Sequence, residues 1–167
     1  MGAARAMSFD HGPAGQLPLP PPLPPAAAQL LDQAHRALAE ATAESGDPRR
    51  RYATAHLGAL RGAAAVLAAR TRPEAGRRRP RSAWVLLGQV APELGEWATF
   101  FAAGAAKRAA AEAGLSRAVT EREADDLVRD VRAFLTVVEH SLGTATPEPV
   151  RPAAPRPRVV GGSDHRR

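Results

Sequence analysis

The feature that most constrains this chain is a set of apolar residues that recur at helical spacing between clear start and stop signals. The clearest start is a capping box, in which Thr120 and Glu123 each accept a hydrogen bond from the other residue's free backbone NH. Leucine, valine and phenylalanine then recur every three or four positions as far as Gly143, a residue that favours a left-handed helix end. The pattern predicts an amphipathic helix over residues 120–143.

Two further helices are predicted near the amino terminus. Leucines and alanines recur at helical spacing over residues 26–45, and Gly46 follows them where a left-handed cap belongs. The next helix starts with Asp47 as its N-cap and Pro48 at its first position, and it continues to about residue 70. Small residues recur along one side of this second helix, which predicts a central position between neighbouring helices: Gly58, Ala59, Gly62 and Ala63.

A third helix is predicted from Ser82 to about residue 113, where Gly114 ends it. Pro92 removes a backbone donor and disfavours helical geometry at Ala91, so a bend is expected there. Strand-like alternation is absent from the sequence. The predicted fold is therefore an all-α bundle of four long helices over residues 26–143, the third of them bent at Pro92.

The two ends of the chain differ in composition from this core. Residues 1–25 end in QLPLPPPLPP, and consecutive prolines fix φ and remove backbone donors. Residues 144–167 have the same bias towards proline, with arginine and glycine. Both tails are predicted to be disordered. Met7 is an alternative to Met1 as the translation start, since nothing in the first six residues resembles structure.

Several classes of site are excluded by the residues that the chain lacks. It has no cysteine, so it has no disulfide, thiolate metal site or cysteine nucleophile. Neither a glycine-rich phosphate loop nor histidines at metal-binding spacing occur, so no cofactor and no metal are predicted. Apolar stretches fall short of the roughly 20 residues that cross a membrane, and the first fifteen residues carry no secretory signal. A cytoplasmic protein without membrane contact is expected.

Three stretches carry a resemblance to a known family. They are RYATAHLGALRGAAAVLAAR at 51–70, SAWVLLGQVAPELGEWATFFAAGAAKRAAAEAG at 82–114 and VRAFLTVVEHSLG at 131–143. Together they resemble the HEPN domain (higher eukaryote and prokaryote nucleotide-binding), and in particular a small actinobacterial subfamily of stand-alone HEPN proteins. The resemblance implies a helical bundle that often forms a homodimer and that works with RNA, nucleotides or a nucleotidyltransferase partner.

Some HEPN proteins are metal-independent ribonucleases whose motif is an arginine, four to six residues, and a histidine. Arg51 and His56 fit this spacing, and so do Arg49 and Arg50 with longer gaps. A histidine can transfer a proton near neutral pH, and an arginine can hold the scissile phosphate. However, two helical residues five positions apart point about 140° apart. Ribonuclease members also carry the motif late in the bundle, so the preferred interpretation of His56 is a partly buried packing residue.

The most basic segment is the loop over residues 70–81, which has no periodicity. Its six arginines could bind a phosphate backbone without sequence preference, or they could simply be solvated. No aromatic residue lies among them to stack on bases. The candidate residues for nucleic-acid binding are Arg70, Arg72, Arg77, Arg78, Arg79 and Arg81.

The acidic residues near the start of the last helix are interpreted as compensation of the helix dipole and as charged surface, and a cation site is the alternative: Glu121, Glu123, Asp125, Asp126 and Asp130. Four-residue spacing predicts ion pairs of Arg122 with Asp126 and of Asp125 with Arg129. The leading functional hypothesis is a non-catalytic, dimeric interaction module that binds a protein partner, a nucleotide or RNA. The rivals are a ribonuclease that uses Arg51 and His56, and a nonspecific nucleic-acid binder that uses the 70–81 loop.

Overall fold

A computed structural model describes residues 22–71 and 82–144 of the chain. Within these two ranges the structure consists of α-helices and one short 3-10 turn, and it contains no strand. The helices are α1 (Pro25–Ala43), α2 (Pro48–Arg70), α3 (Ala83–Val90), α4 (Gly95–Ala103), α5 (Ala105–Glu112) and α6 (Glu121–Leu142), and the 3-10 turn is Pro92–Leu94. The all-α prediction is confirmed.

Local capping interactions start α2 and α6 where the sequence predicts. The Asp47 carboxylate accepts a hydrogen bond from the backbone NH of Arg49 at the start of α2. Thr120 and Glu123 form the predicted capping box at the start of α6. Gly143 ends α6 in the left-handed conformation, with φ of 70°. These signals are read correctly from the sequence because each is a contact between neighbours in the chain.

The end of α1 is a correction. The helix ends at Ala43, two residues before the predicted Ser45, and Gly46 does not have a positive φ. The carboxylate of Glu44 accepts hydrogen bonds from the backbone NH groups of Gly46 at 2.9 Å and Asp47 at 3.3 Å. A side-chain acceptor thus holds the turn between α1 and α2, so a left-handed glycine is not required there.

The predicted third helix is also corrected, because it is three short helices and not one bent helix. The first interruption lies where Pro92 predicts it: Ala91 leaves helical geometry at φ −133° and ψ 75°, and the 3-10 turn follows. The second interruption is at Gly104, between α4 and α5, and the sequence analysis did not anticipate it. The bundle therefore has three long helices, α1, α2 and α6, completed by the shorter α3, α4 and α5.

The second helix is central, as its small residues predict, and packs mainly against α1 and α6. A β-carbon at Gly58 would lie 3.3 Å from the Ala34 carbonyl oxygen of α1. A β-carbon at Gly62 would lie only 2.5 Å from a methyl carbon of Leu135 in α6. Glycine at these two positions lets the helix axes approach closely, which brings the polar residues of α2 near the other helices.

The core beside α2 is built on aromatic rings. Phe101 of α4 stacks on Trp84 of α3 and on Trp97, with centroid separations of 5.2 and 5.9 Å. Phe134 of α6 tilts against Phe101 at 5.0 Å. Phe101 and Phe134 are fully buried. Removing either ring would cost about 3–5 kcal/mol of stability, so this cluster positions everything that packs on it.

The termini and the basic loop are described only at their edges. The predicted tails over residues 1–25 and 144–167 lie outside the described residues, except for residues 22–25 and 144. The same holds for the 70–81 loop after Thr71. Among the helices that the structure describes, none has the length and apolar character needed to cross a membrane.

Candidate functional site

His56 lies on the inner side of α2, against the aromatic core. Its side chain is 1% exposed, and its ring meets Trp84 and Phe101 edge to face at centroid separations of 5.8 and 5.9 Å. Its Nε2 atom lies 3.0 Å from the backbone carbonyl oxygen of Phe101. The imidazole is therefore enclosed more completely than the partly buried position that the sequence predicts.

The hydrogen bond of His56 determines its tautomer. A carbonyl oxygen can only accept, so Nε2 carries the proton and donates it to Phe101. Nδ1 is then a bare acceptor; it is buried and has no hydrogen-bond partner among the described residues. Burial disfavours the charged ring and lowers the pKa of His56 below its ordinary value. His56 is thus a neutral imidazole at neutral pH, with its one NH group already committed.

The break at Gly104 makes this contact with His56 possible. The Phe101 carbonyl receives the backbone NH of Gly104 at 3.2 Å as well as the imidazole of His56. A β-carbon at Gly104 would lie 3.1 Å from the Tyr52 hydroxyl oxygen and 3.5 Å from the His56 ring. Glycine therefore lets the chain turn from α4 into α5 directly over two side chains of α2. The one sequence signal for this role is a lone glycine within a helical pattern.

Arg51 lies on the outer side of α2 and faces the start of α6. Its guanidinium group forms an ion pair with the carboxylate of Asp125 at 2.5 Å. The Nε atom of Arg51 is buried and has no hydrogen-bond partner within the described part of the chain. A small cavity of about 150 Å³ adjoins this pair, lined by Glu44, Ser45, Pro48, Arg51, Glu121 and Asp125. With three carboxylates beside one guanidinium group, this cavity is not an anion site.

The other two arginines of the motif also point away from His56. Arg49 pairs with Asp47 at 3.1 Å and donates to the Gly114 carbonyl oxygen at 2.7 Å. Arg50 lies 3.4 Å from a carboxylate oxygen of Glu40 and 3.4 Å from one of Glu44. The structure thus brings none of the three arginines to the imidazole; each is neutralised by a carboxylate on the outside of the bundle.

Arg70 is the one arginine of the basic loop that the structure describes. It forms an ion pair with Glu93 at 2.5 Å and donates hydrogen bonds to the hydroxyl and carbonyl oxygens of Ser141. This contact holds the end of α2 against the 3-10 turn and the end of α6. The remaining candidates, Arg72, Arg77, Arg78, Arg79 and Arg81, lie outside the described residues.

The predicted acidic pairs on α6 are correct in part. Arg122 lies 4.0 Å from Asp126, as predicted. Arg129 pairs with Asp126 at 2.9 Å and not with Asp125, which is taken by Arg51. The prediction considered only contacts within one helix. Asp125 instead pairs with Arg51, which belongs to a different helix. A metal ion at the alternative cation site gains no support, since no group of three metal-binding side chains occurs in residues 22–71 and 82–144.

A second cavity, which the sequence did not reveal, opens between α2, α4, α5 and α6, and three residues of the predicted acidic set line it. This acidic cavity has a volume of about 310 Å³. Its walls are formed by Tyr52 of α2, Phe100 of α4, Lys107 of α5, and Glu123, Asp126, Leu127 and Asp130 of α6. The three carboxylates lie at helical spacing on one side of α6, but the residues that complete the cavity come from three other helices. Spacing along the chain could not reveal it.

An ion pair between Lys107 and Glu123 forms part of the wall of the acidic cavity. The hydrogen bond from Lys107 is the main cause that lowers the pKa of Glu123 to about 2, and the capping bonds from Thr120 add to it. The same hydrogen bond raises the pKa of Lys107. Burial raises the pKa of the neighbouring Tyr52 hydroxyl, which therefore stays protonated at neutral pH.

The comparisons with known proteins agree with this architecture. No curated protein and no solved structure matches the chain. Residues 39–139 match the sequence profile of the SAV_6107-like HEPN family. The matched region runs from the end of α1 to the end of α6 and so includes both cavities and the environment of His56. A match over more than half of the sequence, on an all-helical bundle, shows that this chain belongs to the HEPN family.

Proposed function

We propose that this chain is a non-catalytic HEPN-type interaction module that works as a dimer and binds a protein partner, a nucleotide or RNA. The observation that carries the proposal is the separation of Arg51 from His56. The imidazole is enclosed by aromatic rings, and the guanidinium group pairs with Asp125 on the opposite side of α2. A phosphodiester cannot contact both groups of one chain in this arrangement.

The chemistry of His56 also argues against catalysis. A general acid or base must reach the proton that it transfers, at about 2.6–3.2 Å between heavy atoms. The NH of His56 already donates to the Phe101 carbonyl, and its free nitrogen is buried. Its pKa is lowered, so protonating the ring at neutral pH would be costly. The role supported by these contacts is packing and positioning of α4 against α2.

We propose binding, in place of catalysis, as the activity of this module. HEPN family membership supports the proposal, because the family includes members that associate with RNA, nucleotides or a nucleotidyltransferase. The dimer is proposed from the same family membership. Sedimentation equilibrium of the full chain should give twice the chain mass at micromolar concentration. A mass equal to one chain across the whole concentration range would remove the dimer from the proposal.

Cleavage of a fluorogenic single-stranded RNA tests the proposal directly. The full chain should release no fluorescence above buffer, with chelator or without it. The ribonuclease rival predicts metal-independent cleavage that vanishes both in His56→Ala and in Arg51→Ala while each variant stays folded. That result would overturn the non-catalytic proposal. Activity restored by mixing the two inactive variants would indicate a site shared between two chains.

A further inference from the structure

The walls of the acidic cavity, which include Tyr52 and Phe100, carry three carboxylates and one lysine. The whole sequence has a net charge of +6. Lys107 and Glu123 neutralise each other, and Asp126 lies 2.9 Å from Arg129 and 4.0 Å from Arg122. Both of these arginines are exposed, and surface ion pairs of this kind are weak enough for a ligand cation to replace them. Asp130 has no ion-pair or hydrogen-bond partner among the described residues. Since a basic protein repels small cations overall, a local acidic cavity is where a cation would concentrate.

Tyr52 provides a second observation that is independent of charge. Its side chain is only 7% exposed, and it forms part of the cavity wall. Its hydroxyl makes no hydrogen bond with any residue in the described ranges. The hydroxyl is thus available to a polar ligand atom in the cavity.

Phe100 gives the acidic cavity an apolar wall. Its ring is 47% exposed, although large aromatic residues usually bury most of their surface. This ring and Trp97 lie edge to face at a centroid separation of 6.2 Å, and Leu127 adds a second apolar side chain to the cavity wall. An exposed aromatic face attracts a cation and also covers an alkyl chain. These walls suit an organic cation better than a hydrated metal ion.

The spacing of the carboxylates narrows the class of ligand. Asp126 and Asp130 are one turn apart on α6, about 6 Å along the helix axis. This separation resembles the distance between the two nitrogens of an extended four-carbon diamine. The cavity volume of about 310 Å³ accommodates a flexible chain of this kind. We propose that the acidic cavity binds a linear aliphatic polyamine, with its ammonium groups at Asp126 and Asp130 and its alkyl chain on Phe100.

Calorimetric titration of the full chain with spermidine tests the site. Intrinsic tryptophan fluorescence gives a second readout, to which Trp97 beside Phe100 contributes. One molecule should bind per chain. Asp130→Asn should weaken binding at least tenfold, and Phe100→Ala should weaken it severalfold. Glu121→Gln is the matched control: it makes the same charge change on the same helix, at a side chain outside the acidic cavity. The affinity of the Glu121→Gln variant for spermidine should stay within twofold of that of the unaltered chain.

A comparison of diamines with monoamines distinguishes a site of defined geometry from general attraction between opposite charges. Putrescine should bind more tightly than butylamine, and Asp130→Asn should abolish that difference. Equal losses in Asp130→Asn and Glu121→Gln would overturn the proposal, and so would displacement of spermidine by equimolar magnesium. Binding of a basic peptide without binding of putrescine would also overturn it. Thermal melts verify folding of each variant, and Asp126→Asn replaces Asp130→Asn if the latter does not fold.

Discussion

On the inner side of α2, His56 is enclosed by Trp84 and Phe101, whereas on the outer side Arg51 meets Asp125 at the edge of solvent. The two residues are five positions apart and would form one motif in sequence. One is neutral, apolar in its surroundings and 1% exposed; the other is charged and has a side chain that is 25% exposed. Opposite sides of one helix thus place the two residues in different electrostatic environments.

This difference shows that a short spacing motif on a helix indicates a common site only when its residues lie on the same side of that helix. Interior contacts are costly to lose because a cavity remains and a buried hydrogen bond is lost. Ion pairs near the surface contribute little, because water and salt screen them. The comparison therefore predicts large effects for His56 and small ones for the arginines.

The largest effect is expected for His56→Ala. The change leaves a cavity among aromatic rings and removes one hydrogen bond from the Phe101 carbonyl, so it should lower the free energy of unfolding by about 1–3 kcal/mol. Chemical denaturation measures it. His140→Ala is the matched control, because His140 is exposed and bonds only to the Thr136 carbonyl of its own helix. Equal losses in both variants would refute the contrast between inside and outside.

A smaller effect on the free energy of unfolding is expected when the pH is lowered, because His56 then tends to gain a proton. The pKa of His56 is lowered in the folded state from an ordinary value of 6.5, so the unfolded chain binds the proton more readily. The contribution is complete above about pH 6.5 and is lost as the pH falls towards the folded-state pKa. Stability should therefore decline in acid more steeply for the original chain than for His56→Ala. Identical pH profiles would show that the buried imidazole does not titrate in this range.

On the outer side, Arg51→Gln should lower stability by about 1 kcal/mol or less, since the Arg51–Asp125 pair is partly exposed. Asp125→Asn should cost about the same, and the double variant little more than either alone. Added salt should reduce the difference between the original chain and the variants. A loss for Arg51→Gln that matches His56→Ala would show that the outer side is as important to folding as the inner side.

The smallest effect on stability is expected in the basic loop. Replacing Arg77, Arg78 and Arg79 by serine should leave the melting temperature nearly unchanged. The same variant tests the second candidate function, nonspecific nucleic-acid binding, which the six arginines of residues 70–81 favour. If the loop binds the phosphate backbone, the variant should weaken RNA binding and flatten its dependence on salt. Unchanged RNA affinity would exclude the loop.

The predictions from sequence succeed and fail for identifiable reasons. The caps at Asp47, Thr120 and Gly143 are correct, and so is the interruption beside Pro92. The Gly104 interruption was missed, because a glycine within a helical pattern is compatible with an unbroken helix. The acidic cavity was missed because four helices contribute to it. The predicted partner of Asp125, Arg129, was wrong because only neighbours on one helix were considered.

The sequence by itself determined the all-α class, the ends of α2 and α6, and the central place of α2, because caps, prolines and apolar spacing act over a few residues or through a regular repeat. Tertiary structure alone decided that His56 donates to the Phe101 carbonyl, that Arg51 pairs with Asp125, and that Asp130 lies beside Phe100 in a cavity. These arrangements depend on how helices far apart in sequence rotate and approach each other. No local pattern encodes that geometry.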